Sequence, residues 1–225
     1  MPGPLPADGR SDRPRPVTCG PSLRRVRTDR GLDRLITFLD AVVAIAITLL
    51  VLPLVDVLPD EGSTVSLGDL LVSERRRFTA FALSFAVIAQ LWLVHHRIVE
   101  RVGSYDRPFV LVNLVWTLTI VLLPFATEVS SVYDDERLAV GIYIGTMTVS
   151  SACLTLLTIL LARRPYLRRP GADPEEDDLP NGLVTMGIFV LALVVGVAVP
   201  RIGYLALFLL FLTGPALRLL GRRAR

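Results

Sequence analysis

The sequence predicts an all-α, polytopic membrane protein with six transmembrane helices and both termini in the cytoplasm. The first sign is composition: hydrophobic residues fill 52% of the 225 positions. The second is their grouping into continuous blocks, each near the roughly 20 apolar residues a helix needs to cross a bilayer. A β-barrel would instead show alternating segments of about ten residues. The third is the placement of arginine, which supplies all 24 basic side chains.

Residues 1–30 are rich in Pro, Gly, Asp and Arg and poor in large apolar groups. Such a segment buries too little surface to offset the entropy of ordering, so it reads as a disordered cytoplasmic tail. Residues 31–225 form the transmembrane domain. Its spans are expected at 34–54, 78–98, 107–129 (with Pro124 inside), 137–162, 182–199 and 202–220. The last two would meet in a tight hairpin at Pro200, or form one broken helix.

With the N-terminus inside, nineteen arginines fall on cytoplasmic connectors and five outside. That is the bias the positive-inside rule demands. Arg75, Arg76 and Arg77 are the local exception, and long cationic side chains there would snorkel to outer headgroups. The acidic stretch 173–178, DPEEDD, lies beside four arginines and reads as a solvated loop.

Arginines that flank spans explain the net charge of +3 without nucleic acid. Cys19 and Cys153 are too few and too distant for a disulfide framework or a metal site. The first 30 residues lack the apolar core of a signal peptide. No phosphate-binding loop, nucleophile elbow, His-Glu-x-x-His motif or paired Cys ligands occur, so no enzyme is expected. Ser84, Ser150 and Ser151 fall inside apolar spans, where hydroxyls bond across helices or to their own backbone.

The first span is the most informative. Arg34, Phe38 and Asp40 stand at its mouth, and Thr48 is polar toward its middle. Charges there are costly unless paired or wet. Helical spacing sets Ala41, Ile45, Thr48, Leu49 and Leu52 on one stripe. Either the stripe is an ordinary packing face, or it is a pore wall whose branched side chains form a constriction that dewets when closed. Asp40 needs hydrogen-bond donors, and Trp92, His95, His96 and Asn113 lie at the same depth. A polar clamp, a proton relay through His95 and Asp40, and a metal site are the three readings. Adjacent histidines on a helix point about 100° apart, which disfavours the metal.

Arg34, Phe38 and Asp40 write R-x-x-x-F-L-D at the start of the first span. SFAVIAQLWLVHH (84–96) and NLVWTLTIVLLPFAT (113–127) follow in the second and third. In this order the motifs resemble the TMEM175 family of potassium channels, whose first motif is R-x-x-x-F-S-D. The resemblance covers the first three spans well and the last three in number and hydropathy. It implies six-helix subunits, assembled as homotetramers in the cell membrane of bacteria, with the first spans lining the pore and no re-entrant filter. No cofactor is implied, only permeating potassium and the lipid bilayer. Ile45, Leu49 and Leu52 would be the constriction and Thr48 the position tied to selectivity. Arg34, Phe38 and Asp40 would hold the inner half of the first span against Trp92, His95 and Asn113. Leu39 replaces the motif serine, removing a hydroxyl from that clamp.

The expected function is thus a potassium-permeable cation channel with a hydrophobic constriction. The alternatives are a proton-coupled transporter using Asp40 and His95, and a non-conducting membrane scaffold or an uncharacterised intramembrane enzyme, the last weakened by the missing catalytic motifs.

Overall fold

The computed structural model describes residues 3, 29–58, 66–133, 136–171 and 178–198. Among them the chain is helical and has no strand. The helices are α1 (Asp29–Leu49), α2 (Leu52–Val55), α3 (Leu67–Ser73), α4 (Arg75–Glu100), α5 (Arg107–Val132), α6 (Arg137–Arg163) and α7 (Asp178–Ala198), with a 3-10 turn at Pro165–Leu167. Four stretches are long and apolar enough to cross a membrane: Arg30–Val55, Arg75–Glu100, Arg107–Val132 and Arg137–Arg163. α7 adds the apolar segment Gly182–Gly196. The sixth expected span, the hairpin at Pro200 and nearly all of the expected tail lie outside the described residues.

Each observed span runs past its apolar block. α4 begins at Arg75 rather than near residue 78, and α5 continues to Val132 rather than 129. Hydropathy marks the hydrocarbon slab, whereas hydrogen bonding carries a helix on into the headgroup layer. Local chemistry sets the ends. Asp106 caps α5 by accepting from the Phe109 N–H at 3.0 Å, and Pro108 occupies the first turn, where its missing N–H costs nothing. Ser66 caps α3, a helix standing where only a connector was expected.

The first span is broken, which was not expected. α1 stops at Leu49 and α2 starts at Leu52. Pro53 is the cause. It has no N–H for the Leu49 carbonyl, and its ring crowds that turn. The chain tightens there, with the Val51 N–H donating to the Thr48 carbonyl at 3.2 Å.

α5 and α6 pack together at the centre, α7 covers another side of α6, and α1 and α4 lie against α5. Trp116, Ile120, Ile144 and Leu157 are fully buried in the shared core. Hydroxyls in the spans mostly bond back one turn: Thr117 to the Asn113 carbonyl, Thr146 to Ile142 and Thr158 to Leu154. A side chain that satisfies itself this way tolerates hydrocarbon.

Candidate pore face and polar clamp

α1 has two apolar faces. Leu32, Val43 and Ala46, with Leu50 beyond the helix end, are buried in the core formed with α4 and α5. Ala41, Ile45, Thr48, Leu49 and Leu52, the stripe singled out in the sequence, are all exposed. Ile45 is 58% exposed, Leu49 40% and Leu52 53%. The break made by Pro53 falls inside this stripe, between Leu49 and Leu52. Thr48 donates its hydroxyl proton to the Ile45 carbonyl at 2.8 Å. Its oxygen lone pairs therefore remain available to accept from water or to meet a cation.

Asp40 sits at the edge of the buried face and is half-buried. The Trp92 indole N–H donates to its Oδ1 at 2.9 Å. The structure thus brings together the carboxylate and one of the donors expected for it. The other two residues form their own pair one turn along. Asn113 Nδ2 donates to the Phe109 carbonyl at 2.8 Å, which turns its Oδ1 toward His95 Nε2 at 2.7 Å. An amide oxygen only accepts, so His95 Nε2 carries a proton. A nitrogen holding that proton is no metal ligand. Among the described residues no three His, Cys, Asp or Glu side chains converge on a metal site.

Trp116 completes the cluster and was missed. It stacks on His95 with centroids 3.9 Å apart and planes 5° from parallel. Its signal was spacing: it lies three residues after Asn113, on the same helix face. His96 stacks on Trp92 at 5.3 Å and meets Glu100 at 3.3 Å. Arg34 and Phe38 stand apart from the cluster. Both are exposed; Phe38, two residues before Asp40, points about 200° away from it on the helix. Leu39, in the place of the motif serine, is 1% exposed. The Trp92–Asp40 bond forms without any hydroxyl there, so the clamp does not depend on it.

Beside the clamp, two connectors are stapled together. The Gly103 N–H donates to the Leu167 carbonyl at 2.9 Å and the Arg169 N–H to that of Arg101 at 2.8 Å. A Cβ on Gly103 would lie 2.9 Å from the Arg169 Cα, so glycine permits this approach. Asp106 receives the Tyr166 hydroxyl at 2.9 Å and the Arg164 guanidinium. Burial pushes its carboxyl up. The Phe109, Tyr166 and Arg164 donors, with the Arg164 charge, outweigh burial and hold it below its ordinary value.

Comparisons with known proteins identify the family. A family model described as "Endosomal/lysosomal potassium channel TMEM175" matches residues 34–124, which hold both the exposed stripe and the clamp. A potassium channel of Chamaesiphon minutus is 32% identical over 148 residues, covering 64% of this chain and 73% of that relative. The chain belongs to the TMEM175 family. A potassium channel of Streptomyces collinus is 28% identical over 144 residues, 62% of this chain and 69% of the relative. Human TMEM175, named as an endosomal/lysosomal proton channel, is 24% identical over 160 residues. That match takes in 69% of this chain but only 31% of the human protein.

The fold agrees as well. The crystal structure of a lysosomal potassium-selective channel TMEM175 homolog from Chamaesiphon minutus superposes with a TM-score of 0.67. It covers 84% of this chain and 98% of that one at 24% identity. TMEM175 is a family of channels and not of enzymes, and this member is a multi-pass membrane protein.

Proposed function

We propose that this chain is the subunit of a potassium-permeable cation channel in the cell membrane. Six helices per subunit, with both termini cytoplasmic, assemble as a homotetramer. The α1 helices face a common axis through their exposed stripe. Ile45, Leu49 and Leu52 form the hydrophobic constriction, and Thr48 offers the permeating ion a polar stop. One observation carries the reading. The stripe from Ala41 to Leu52 is left uncovered by α4 and α5, while the opposite side of the same span is buried. The bacterial relatives named as potassium channels support it.

Mechanistically, an ion entering a ring of branched apolar side chains sheds part of its water. The Thr48 oxygens then replace some of it, and selectivity falls short of that of a carbonyl-lined filter. The Trp92–Asp40 bond ties α1 to α4, while His95, Asn113 and Trp116 tie α4 to α5 beside it. Phe38, seven residues before Ile45 and on the same side of α1, meets the neighbouring subunit. Arg34 stays near the cytoplasmic headgroups.

Reconstitution into liposomes tests the proposal. Potassium, sodium and caesium fluxes are compared for the wild type and Ile45→Asn, with valinomycin as the positive control. A wetter ring should raise total flux and change the potassium-to-sodium ratio by several-fold. Flux identical in both proteins would remove Ile45 from the pathway.

The name of the human relative motivates a second reading, in which the same throat passes protons. A pH-sensitive dye in the same liposomes separates the two. A relay through Asp40 and His95 is less well supported. Asp40 is held by Trp92 and His95 by Asn113, and no hydrogen bond joins the two.

A further inference from the structure

At the end of the bundle where α4 begins and α5 ends, a partly open cavity of about 200 Å³ lies among α4, α5 and α6. Arg76, Ala80, Leu83, Ser84, Ser130 and Tyr143 are among its walls. None of them belongs to the exposed stripe of α1 or to the clamp. We propose that this cavity binds a small neutral alcohol drawn from the bilayer, with its hydroxyl at Ser130 and its hydrocarbon body against Ala80 and Leu83.

Hydrogen bonding selects a ligand with one hydroxyl. Most of the polar groups in the wall are already engaged. Thr127 donates to Ser84 at 2.8 Å, and the Ser84 and Tyr143 oxygens are 3.0 Å apart. Thr79 donates to the Arg75 carbonyl at 2.8 Å, and Ser131 to that of Glu128 at 2.9 Å. Ser130 differs. It is buried on α5, and among the described residues its Oγ has no hydrogen-bond partner. An unpaired buried hydroxyl carries a desolvation cost that one incoming oxygen removes. The Ser130 side chain turns about a single bond, so its Oγ can follow that oxygen. An alcohol can accept from Ser130 or donate to it, whichever way the proton points.

Size, depth and charge select the rest. An apolar protein cavity of about 150 Å³ takes up benzene, so this one has room for a body of that size and a hydroxyl. Arg76 Nη2 donates to the Ser130 carbonyl at 3.3 Å, which sets Ser130 at the headgroup end. Leu83 follows Arg76 by seven residues, about 10 Å deeper along α4. An alcohol dissolved in a bilayer lies the same way round, because its oxygen is costly to bury in hydrocarbon. Its hydrocarbon body gains by burial against Ala80 and Leu83. A charged ligand does not fit. Arg76 in the wall repels a cation. Toward an anion its pull is cancelled, since Arg75, Arg76, Arg77 and Arg137 at this end stand against Asp69, Glu74, Glu128 and Glu136. Asp134 and Asp135 add to the acidic side in the sequence.

The experiment is photolabelling of the full-length protein in phosphatidylcholine liposomes, with labelled peptides located by mass spectrometry. The probe is hexanol carrying a diazirine on its chain. Saturable labelling of the cavity segments of α4 and α5, competed by excess hexanol, is expected. Ser130→Ala should lower it about fivefold. Ala80→Phe, which fills the cavity, should abolish it. Matched probes ending in a methyl, a carboxylate or an ammonium group should each label these segments several-fold less. Equal labelling by the methyl-ended probe overturns the proposal, because the cavity then takes any hydrocarbon. So does stronger labelling by either charged probe, or labelling unchanged in Ser130→Ala. If Ala80→Phe does not remain monodisperse, Ser130→Ala and the probe series decide. No arm depends on ion flux, so failure here leaves the channel reading untouched.

Discussion

The two faces of the first span, α1 with α2, are built from the same kind of residue and have different fates. Val43, Ala46 and Leu50 are buried against α4 and α5, while Ile45, Leu49 and Leu52 are exposed. In a soluble helix, polarity would tell the two faces apart. In a bilayer every outward position must be apolar, so hydropathy is silent about which face meets protein, lipid or an aqueous axis. The polar marks carry that information instead. Asp40 turns toward Trp92 and thereby fixes the buried side. Thr48 lies on the other side, and among the described residues its hydroxyl bonds back to the Ile45 carbonyl.

Substitutions can break this contrast. The largest effect is expected for Val43→Asn, which puts an amide into the packed face without partners. That costs about 3 kcal/mol and should leave little monodisperse protein on size exclusion. Ile45→Asn, two residues later, should purify like the wild type and alter flux instead. If both behave alike in purification, the two faces are not distinct.

Leu39→Ser comes next. It restores the residue of the family motif but removes a buried leucine side chain, at a cost of about 2 kcal/mol read as a lower melting temperature. A gain in stability would mean that the serine finds a hydrogen-bond partner across the helix interface. Trp92→Phe keeps the ring and deletes the bond to Asp40. Asp40 is only half-buried, so the loss should be about 1 kcal/mol.

The smallest effect sharpens the view of the connectors. The Asp106 carboxyl is depressed in the folded state, so its contribution is present above the unfolded value and lost as pH falls through the folded one. Asp106→Asn should therefore lower the melting temperature at neutral pH. The gap to the wild type should close as the pH drops below about 4. A gap that persists at low pH would assign the effect to packing.

Much of this was legible in the sequence because the bilayer imposes it. Continuous apolar blocks located four spans and the core of α7, and Asp40, Trp92, His95 and Asn113 were singled out as polar groups needing partners. The pairing within that set was not legible. Which donor reaches Asp40 depends on helix rotation and on interhelical distances that spacing does not fix. The break in α1 had a local signal in Pro53, hidden because its neighbours continue the apolar run. Trp116 was hidden by its own hydrophobicity, since an aromatic in a membrane span reads as packing until a histidine ring is found lying flat on it.

Thiol accessibility in reconstituted protein tests the central claim most directly. Ile45→Cys is prepared with Cys19 and Cys153 replaced by alanine, and potassium flux is followed before and after a membrane-impermeant, positively charged methanethiosulfonate is added. If the exposed stripe of α1 lines the conduit, the reagent should abolish flux, and flux should return on reduction. Unchanged flux, with the cysteine labelled only by a lipid-soluble maleimide, would place Ile45 against the bilayer and contradict the account.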